Sequence, residues 1–270
     1  MWLALPLAAA AFAKRGMATY LSYRVKFLMS LASLSLSVVT FALVGKVVST
    51  AGSGFVERYG TDYASFAVTG VAVHTIASSG LSCFRSAVRR EQLQGTLETL
   101  FTSSLPPGAA VFLAGLGELV MVLAGGALFL GLARAFLDVR IIPTPAALIA
   151  VLLYGAFMSG LGLASAGCIL VSKEGEPVSW LFGAASGLLG GVYFPVDLLP
   201  SWLQHAARAI PTAHALGVVR SSCAGASVPS GGPCSLLVLS LCASVSMAVG
   251  ILALRCGYGR ARRRGTLGEY

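Results

Sequence analysis

Charge is what this 270-residue chain has least of: Asp, Glu, Lys and Arg make up 11% of it, where soluble globular domains carry about 25%. So few charged side chains cannot coat a soluble particle of this size, and a disordered chain would need the opposite balance. Motifs that carry chemistry are missing too. No Gly-x-x-x-x-Gly-Lys-Ser/Thr run is present to cradle phosphate; the nearest fragment, Gly45-Lys46, has Thr40 where the first Gly belongs and Val47 in place of the hydroxyl. The Ser-Gly pairs at Ser53, Ser79, Ser159, Ser186 and Ser230 all lack Gly two places earlier, against the Gly-x-Ser-Gly of an intramembrane serine protease. Neither His-Glu-x-x-His nor Cys-x-x-Cys occurs. The sequence thus offers no catalytic residue, no metal site and no cofactor site of its own, and any ATP it uses must be hydrolysed on another chain.

What is abundant is apolar residues, 56% of the chain. They gather into six runs, 27–48, 63–84, 109–133, 146–171, 178–194 and 235–254. A helix of about 20 residues crosses a hydrocarbon core about 30 Å thick. Continuous rather than alternating hydrophobicity selects helices over a barrel. The expected fold is therefore an all-α integral membrane protein, one transmembrane domain over 1–270 with six spans. Of the 19 basic residues, 13 lie on the side that holds both termini, among them Lys14, Arg24, Arg85, Arg89, Arg90, Lys173 and Arg260. The positive-inside rule makes that side cytoplasmic, in the cell membrane. The basic tail within 255–270 then faces anionic lipid headgroups rather than nucleic acid. Residues 1–26 start like the apolar part of a signal peptide but lack its basic n-region; with Tyr20, Tyr23 and Arg24 at headgroup level they read as an interfacial helix.

Two stretches outside the runs are informative. After the second run, Leu93, Leu97, Leu100 and Phe101 fall at i, i+4, i+7 and i+8, with Glu91, Gln94 and Glu98 on other faces. That pattern predicts one short amphipathic helix, with Gly95 and Thr96 inside it, offering an apolar face rimmed by acid. Such a face suits a protein groove better than anionic lipid; the plainer alternative is a helix that merely covers the ends of the spans. The second stretch, 195–233, is long yet apolar. Within it Leu199, Pro200, Trp202, Leu203 and Pro211 predict a short helix bracketed by prolines, an interfacial or re-entrant element fit to close one end of a route.

These segments resemble the membrane-spanning permease subunits of type-2 ABC transporters, mostly exporters. The resemblance covers nearly the whole chain. It rests on Arg90-Glu91…Gly95-Thr96-Leu97-Glu98-Thr99-Leu100, on Gly191-Val192-Tyr193-Phe194-Pro195…Leu199-Pro200-Ser201-Trp202-Leu203…Pro211 followed by Arg220, and on Tyr23-Arg24…Phe27. Ser103-Ser104 stands where many relatives have Thr-Pro, and Ala114-Gly115 where many have Gly-Lys. The resemblance implies that Glu91–Phe101 is a coupling helix, seated on a separate ATP-binding subunit that holds ATP and Mg. It implies that the segment from Phe194 to Pro211 gates the external end, and that two permease subunits pair as a homodimer or heterodimer.

Glu118 in the third run and His74 in the second are intramembrane ionisable groups, and so are pathway candidates. A gradient-driven secondary transporter using these two residues is the rival reading, and a non-transporting membrane scaffold is a third. Gly183, Gly187 and Gly191 recur every four residues in the fifth run, a smooth stripe for intrachain packing or for the dimer interface. Cys223 in the external segment and Cys234 at its end could form a disulfide in an oxidising compartment.

Overall fold

The computed structural model describes residues 24–50, 63–102, 107–137, 144–172, 177–224 and 232–264. Among these every regular element is helical: α1 (Arg24–Thr50), α2 (Tyr63–Leu93), α3 (Leu97–Thr102), α4 (Pro107–Leu137), α5 (Pro145–Ser172), α6 (Pro177–Leu189), a 3-10 turn (Val196–Leu198), α7 (Ser201–Ala209), α8 (Pro211–Ala224) and α9 (Gly232–Arg264). The interfacial helix expected over 1–26 lies almost wholly outside the described residues. Proline supplies the first residue of α4, α5, α6 and α8, where its missing N–H costs nothing and its fixed φ favours the helix. Ahead of Pro145, Thr144 Oγ1 caps the N–H of Ala147 at 3.2 Å.

Four helical stretches are long and apolar enough to cross a membrane, Tyr63–Leu93, Gly108–Phe129, Pro145–Val171 and Cys234–Arg263. α1 carries a shorter apolar stretch, Ser35–Val48. The expected fifth span, 178–194, is cut short. α6 ends after 13 residues at Leu189, about 20 Å of helix at 1.5 Å per residue, because Gly191 takes φ +75° and turns the chain. Two other spans run past their expected ends. α2 continues to Leu93, so Arg85, Arg89 and Arg90 ride on helix rather than loop, and α9 continues to Arg264, making the start of the basic tail helical.

The best-packed part of the fold is α5 held between α2 and α9. Its cause is glycine. A Cβ on Gly250 of α9 would lie 2.2 Å from the carbonyl oxygen of Gly160 on α5, and one on Gly257 the same distance from that of Gly167. On the other side, a Cβ on Gly162 would lie 2.4 Å from the carbonyl oxygen of Gly80 on α2. Backbones this close leave no room for side chains, the small-residue packing of helices in lipid. Ser246 adds a hydrogen bond across the seam, its hydroxyl donating to Phe157 O at 2.8 Å. Away from it the fold turns apolar surface outward: Leu237, Leu241, Val245 and Leu252 of α9 and Met29, Leu36 and Val47 of α1 are exposed, as hydrocarbon surroundings allow.

Candidate functional site

The two ends of α2 carry the segments that the sequence singles out. At its C-terminal end the predicted single helix over Glu91–Phe101 is broken. α2 stops at Leu93, Gly95 adopts φ +67°, and α3 starts at Leu97. The stripe therefore splits. Leu93 is 73% exposed, whereas Leu97 and Phe101 are buried in a cluster with Cys83, Phe84, Val88, Leu170 and Leu254. Phe101 also packs its ring 4.7 Å from that of Tyr258 on α9. The greasy face expected to enter a partner's groove instead covers the ends of the chain's own spans, because a four-residue spacing lines up only while the helix is continuous. What faces outward is the turn itself, Leu93, Gln94 and Gly95, with Thr99 beside it. Glu98 and Leu100 lie in α3, their side chains outside the described residues.

The turn is tied down by its neighbours. Glu91 is buried and accepts the Thr96 hydroxyl on its carboxylate. The Thr96 N–H donates to Glu91 O at 3.0 Å, and Gly95 N to Gln92 O at 3.0 Å. Glu118 on α4 lies alongside: it accepts the Ser86 hydroxyl at 2.5 Å and stands 3.7 Å from Arg90 Nη2. A partly exposed ion pair contributes little energy, but it fastens α4 to the end of α2.

The other end of α2 meets the segment after α6. A 3-10 turn and α7 follow Pro195, and Gln204 reaches back to donate to Leu199 O at 2.8 Å. Pro195 and Pro211 are buried, Phe194, Leu199 and Leu203 half-buried, and Pro200 and Trp202 exposed. α8 then packs against the core, burying Thr212, Ala215, Leu216 and Val219 on one face, a helix that the hydropathy pattern does not announce. Thr212 shares a hydrogen bond with Tyr154 of α5 at 2.8 Å, and Tyr154 another with His74 Nδ1 of α2 at 3.0 Å. Two turns further along α8, Arg220 Nη1 donates to Gly191 O at 2.9 Å, and Nη2 to Phe66 O at 3.1 Å and Val192 O at 3.2 Å. His214 joins α7, α8 and α9 through Arg208 O at 2.8 Å and the Ser235 hydroxyl at 3.3 Å.

His74 and Glu118 do not come together. Ser86, which holds Glu118, is twelve residues beyond His74 on one helix, about 18 Å at 1.5 Å per residue. The glycine stripe, as far as it is helical, packs within the chain. Gly191 lies beyond the helix end, and a Cβ on Gly187 would meet His74 Nε2 at 3.6 Å, so the remaining stripe faces α2 of the same chain. Cys234 is a free thiol; the side chain of Cys223, with which it could pair, lies outside the described residues. Among the described residues no three His, Cys, Asp or Glu side chains gather as metal ligands do.

The profile of the ABC-2 type transporter family matches residues 10–223, which take in both ends of α2 and everything between. The chain belongs to the ABC-2 type transporter family. It is an integral membrane permease, a transport component. No curated protein matches it at a significant level. Within this permease, α3 and its preceding turn stand at one end of the glycine-packed helices, and the α6–α8 hairpin stands at the other.

Proposed function

We propose that the chain is the permease subunit of an ATP-driven exporter, acting with a second permease subunit and with an ATP-binding subunit that carries ATP and Mg. Both termini and the α2–α3 turn face the cytoplasm, in the cell membrane, and the α6–α8 hairpin is external. The observation that carries this reading is the turn at Leu93–Thr96. It leaves a leucine exposed at the end of a helix that runs, within one glycine-packed unit, to the hairpin at the far end. Force applied there by closing ATPases reaches the outer hairpin through α2. Leu93, Gln94 and Thr99 offer the docking surface, while Leu97 and Phe101 anchor α3 to the spans, so that it moves with them.

Co-purification tests it. The chain is expected to hold an ATP-binding subunit through extraction, and Leu93→Asp to lower that association about tenfold with unchanged insertion. Undiminished association and transport in Leu93→Asp would remove the turn as the docking surface. The secondary-transporter alternative loses its support with the separation of His74 from Glu118.

A further inference from the structure

Arg220 is unlike the other polar residues of the hairpin. Its guanidinium carries a permanent charge, yet among the described residues it meets no carboxylate. Its partners are the carbonyl oxygens of Gly191, Val192 and Phe66, at 2.9 to 3.2 Å. Its flat face lies on the Phe66 ring, Cζ 3.4 Å from the centroid, and its Nε is buried without a hydrogen-bond partner. Among the described residues this cation is compensated by carbonyl dipoles and a ring quadrupole alone.

The carbonyls it gathers come from two places. Gly191 and Val192 form the turn that ends α6; Phe66 lies in the first turn of α2, where Tyr63 also donates its hydroxyl to Tyr193 O at 3.2 Å. The guanidinium thus draws the turn, α2 and α8 to one point. Room for it is made by Gly70, where a Cβ would stand 2.5 Å from Arg220 Nη2 and 2.3 Å from Val192 O. Arg rather than Lys suits this place, since a planar fork can serve three acceptors and still lie flat on a ring.

We infer that Arg220 is a positioning residue, a clasp that holds the α6–α8 hairpin closed against α2 and must let go for the external end to open. With no anionic partner among the described residues, the clasp releases without stranding a carboxylate of theirs. This inference rests on the permease reading for its link to transport, but the closed contact itself does not.

The experiment labels a cysteine placed at Val192, whose side chain is fully buried, with a membrane-impermeant maleimide added outside whole cells. The six native cysteines are replaced by Ala, and Met158→Cys, buried elsewhere in the core, serves as reference. Position 192 is expected to resist labelling with Arg220 in place and to label at least tenfold faster in Arg220→Ala, with position 158 unchanged in both. Arg220→Gln is the gentler variant, since it keeps much of the side chain but removes the charge and the planar fork. It is expected to raise labelling at 192 as Arg220→Ala does.

Protection at 192 in both single variants overturns the clasp. If Arg220→Ala exposes 158 as well, Arg220→Gln decides, with selective labelling at 192 supporting the clasp and protection there overturning it. With the ATP-binding subunit present, ATP turnover is expected to raise labelling at 192 when Arg220 is intact. If labelling rises on mutation but not on ATP turnover, the closed contact stands and its role in gating is lost.

Discussion

The seam between α5 and α9 and the hairpin formed by α6–α8 are both close approaches of backbone, but they are held by different physics. Along the seam, Gly160, Gly167, Gly250 and Gly257 leave nothing between the helices except each other's carbonyls. At the hairpin, a tyrosine hydroxyl, a threonine and one guanidinium reach across. Close packing has no intermediate position, because sliding by an ångström brings backbone into backbone. Polar links can break singly and re-form elsewhere at small net cost. A transporter needs both, a body stiff enough to carry force and an end that opens. In the reading proposed above, Gly160 serves the first and Arg220 the second.

Breaking the seam is expected to have the largest effect. Gly250→Leu would push a side chain into Gly160 O and cost about 3 kcal/mol, the upper end of the overpacking range. The check is the midpoint for heat-induced loss of the monodisperse detergent-solubilised protein. Gly131→Leu, where a Cβ meets nothing within 4 Å, should leave that midpoint in place. Equal losses at both positions would remove the distinction between seam and periphery.

Leu97→Asp comes next. It places a carboxylate among Phe84, Val88 and Leu170 and is expected to cost about 2–3 kcal/mol in lost packing and desolvation. Yield of folded protein would therefore fall along with any coupling. Tyr154→Phe sharpens the comparison from the hairpin side. It removes the hydroxyl shared by His74 and Thr212 and should cost about 1 kcal/mol, since such bonds in membrane proteins average about 0.6 kcal/mol each. The same thermal midpoint reads it. The smallest effect is expected for Gly187→Ala, within about 0.5 kcal/mol, because the added methyl meets His74 Nε2 at an ordinary 3.6 Å.

Much of this fold is legible in the sequence, and what is not fails for identifiable reasons. Apolar runs locate the helices, and prolines 107, 145, 177 and 211 mark where four begin. Helix ends are harder to read, since Leu93 and Leu97 keep the four-residue spacing across a break that only Gly95 announces. Gly190-Gly191 likewise ends α6 inside a run that hydropathy alone continues to residue 194. The seam is written as glycines seven apart at 160 and 167 and at 250 and 257, a signal as plain as the stripe at 183, 187 and 191 that the fold uses only partially. Glu118 shows the limit. Its partners Ser86 and Arg90 stand about thirty residues away, and no local pattern joins them.

Cross-linking to the ATP-binding subunit tests the central claim most directly. A cysteine at position 94 or 97, in a background without the native cysteines, would be treated with a maleimide carrying a diazirine and then irradiated in membranes containing both subunits. Position 94 is expected to give an adduct with the ATP-binding subunit, and the buried position 97 none. An adduct from 97 and none from 94 would contradict the account, because the apolar stripe, rather than the turn that breaks it, would then be the surface on which the ATPase sits.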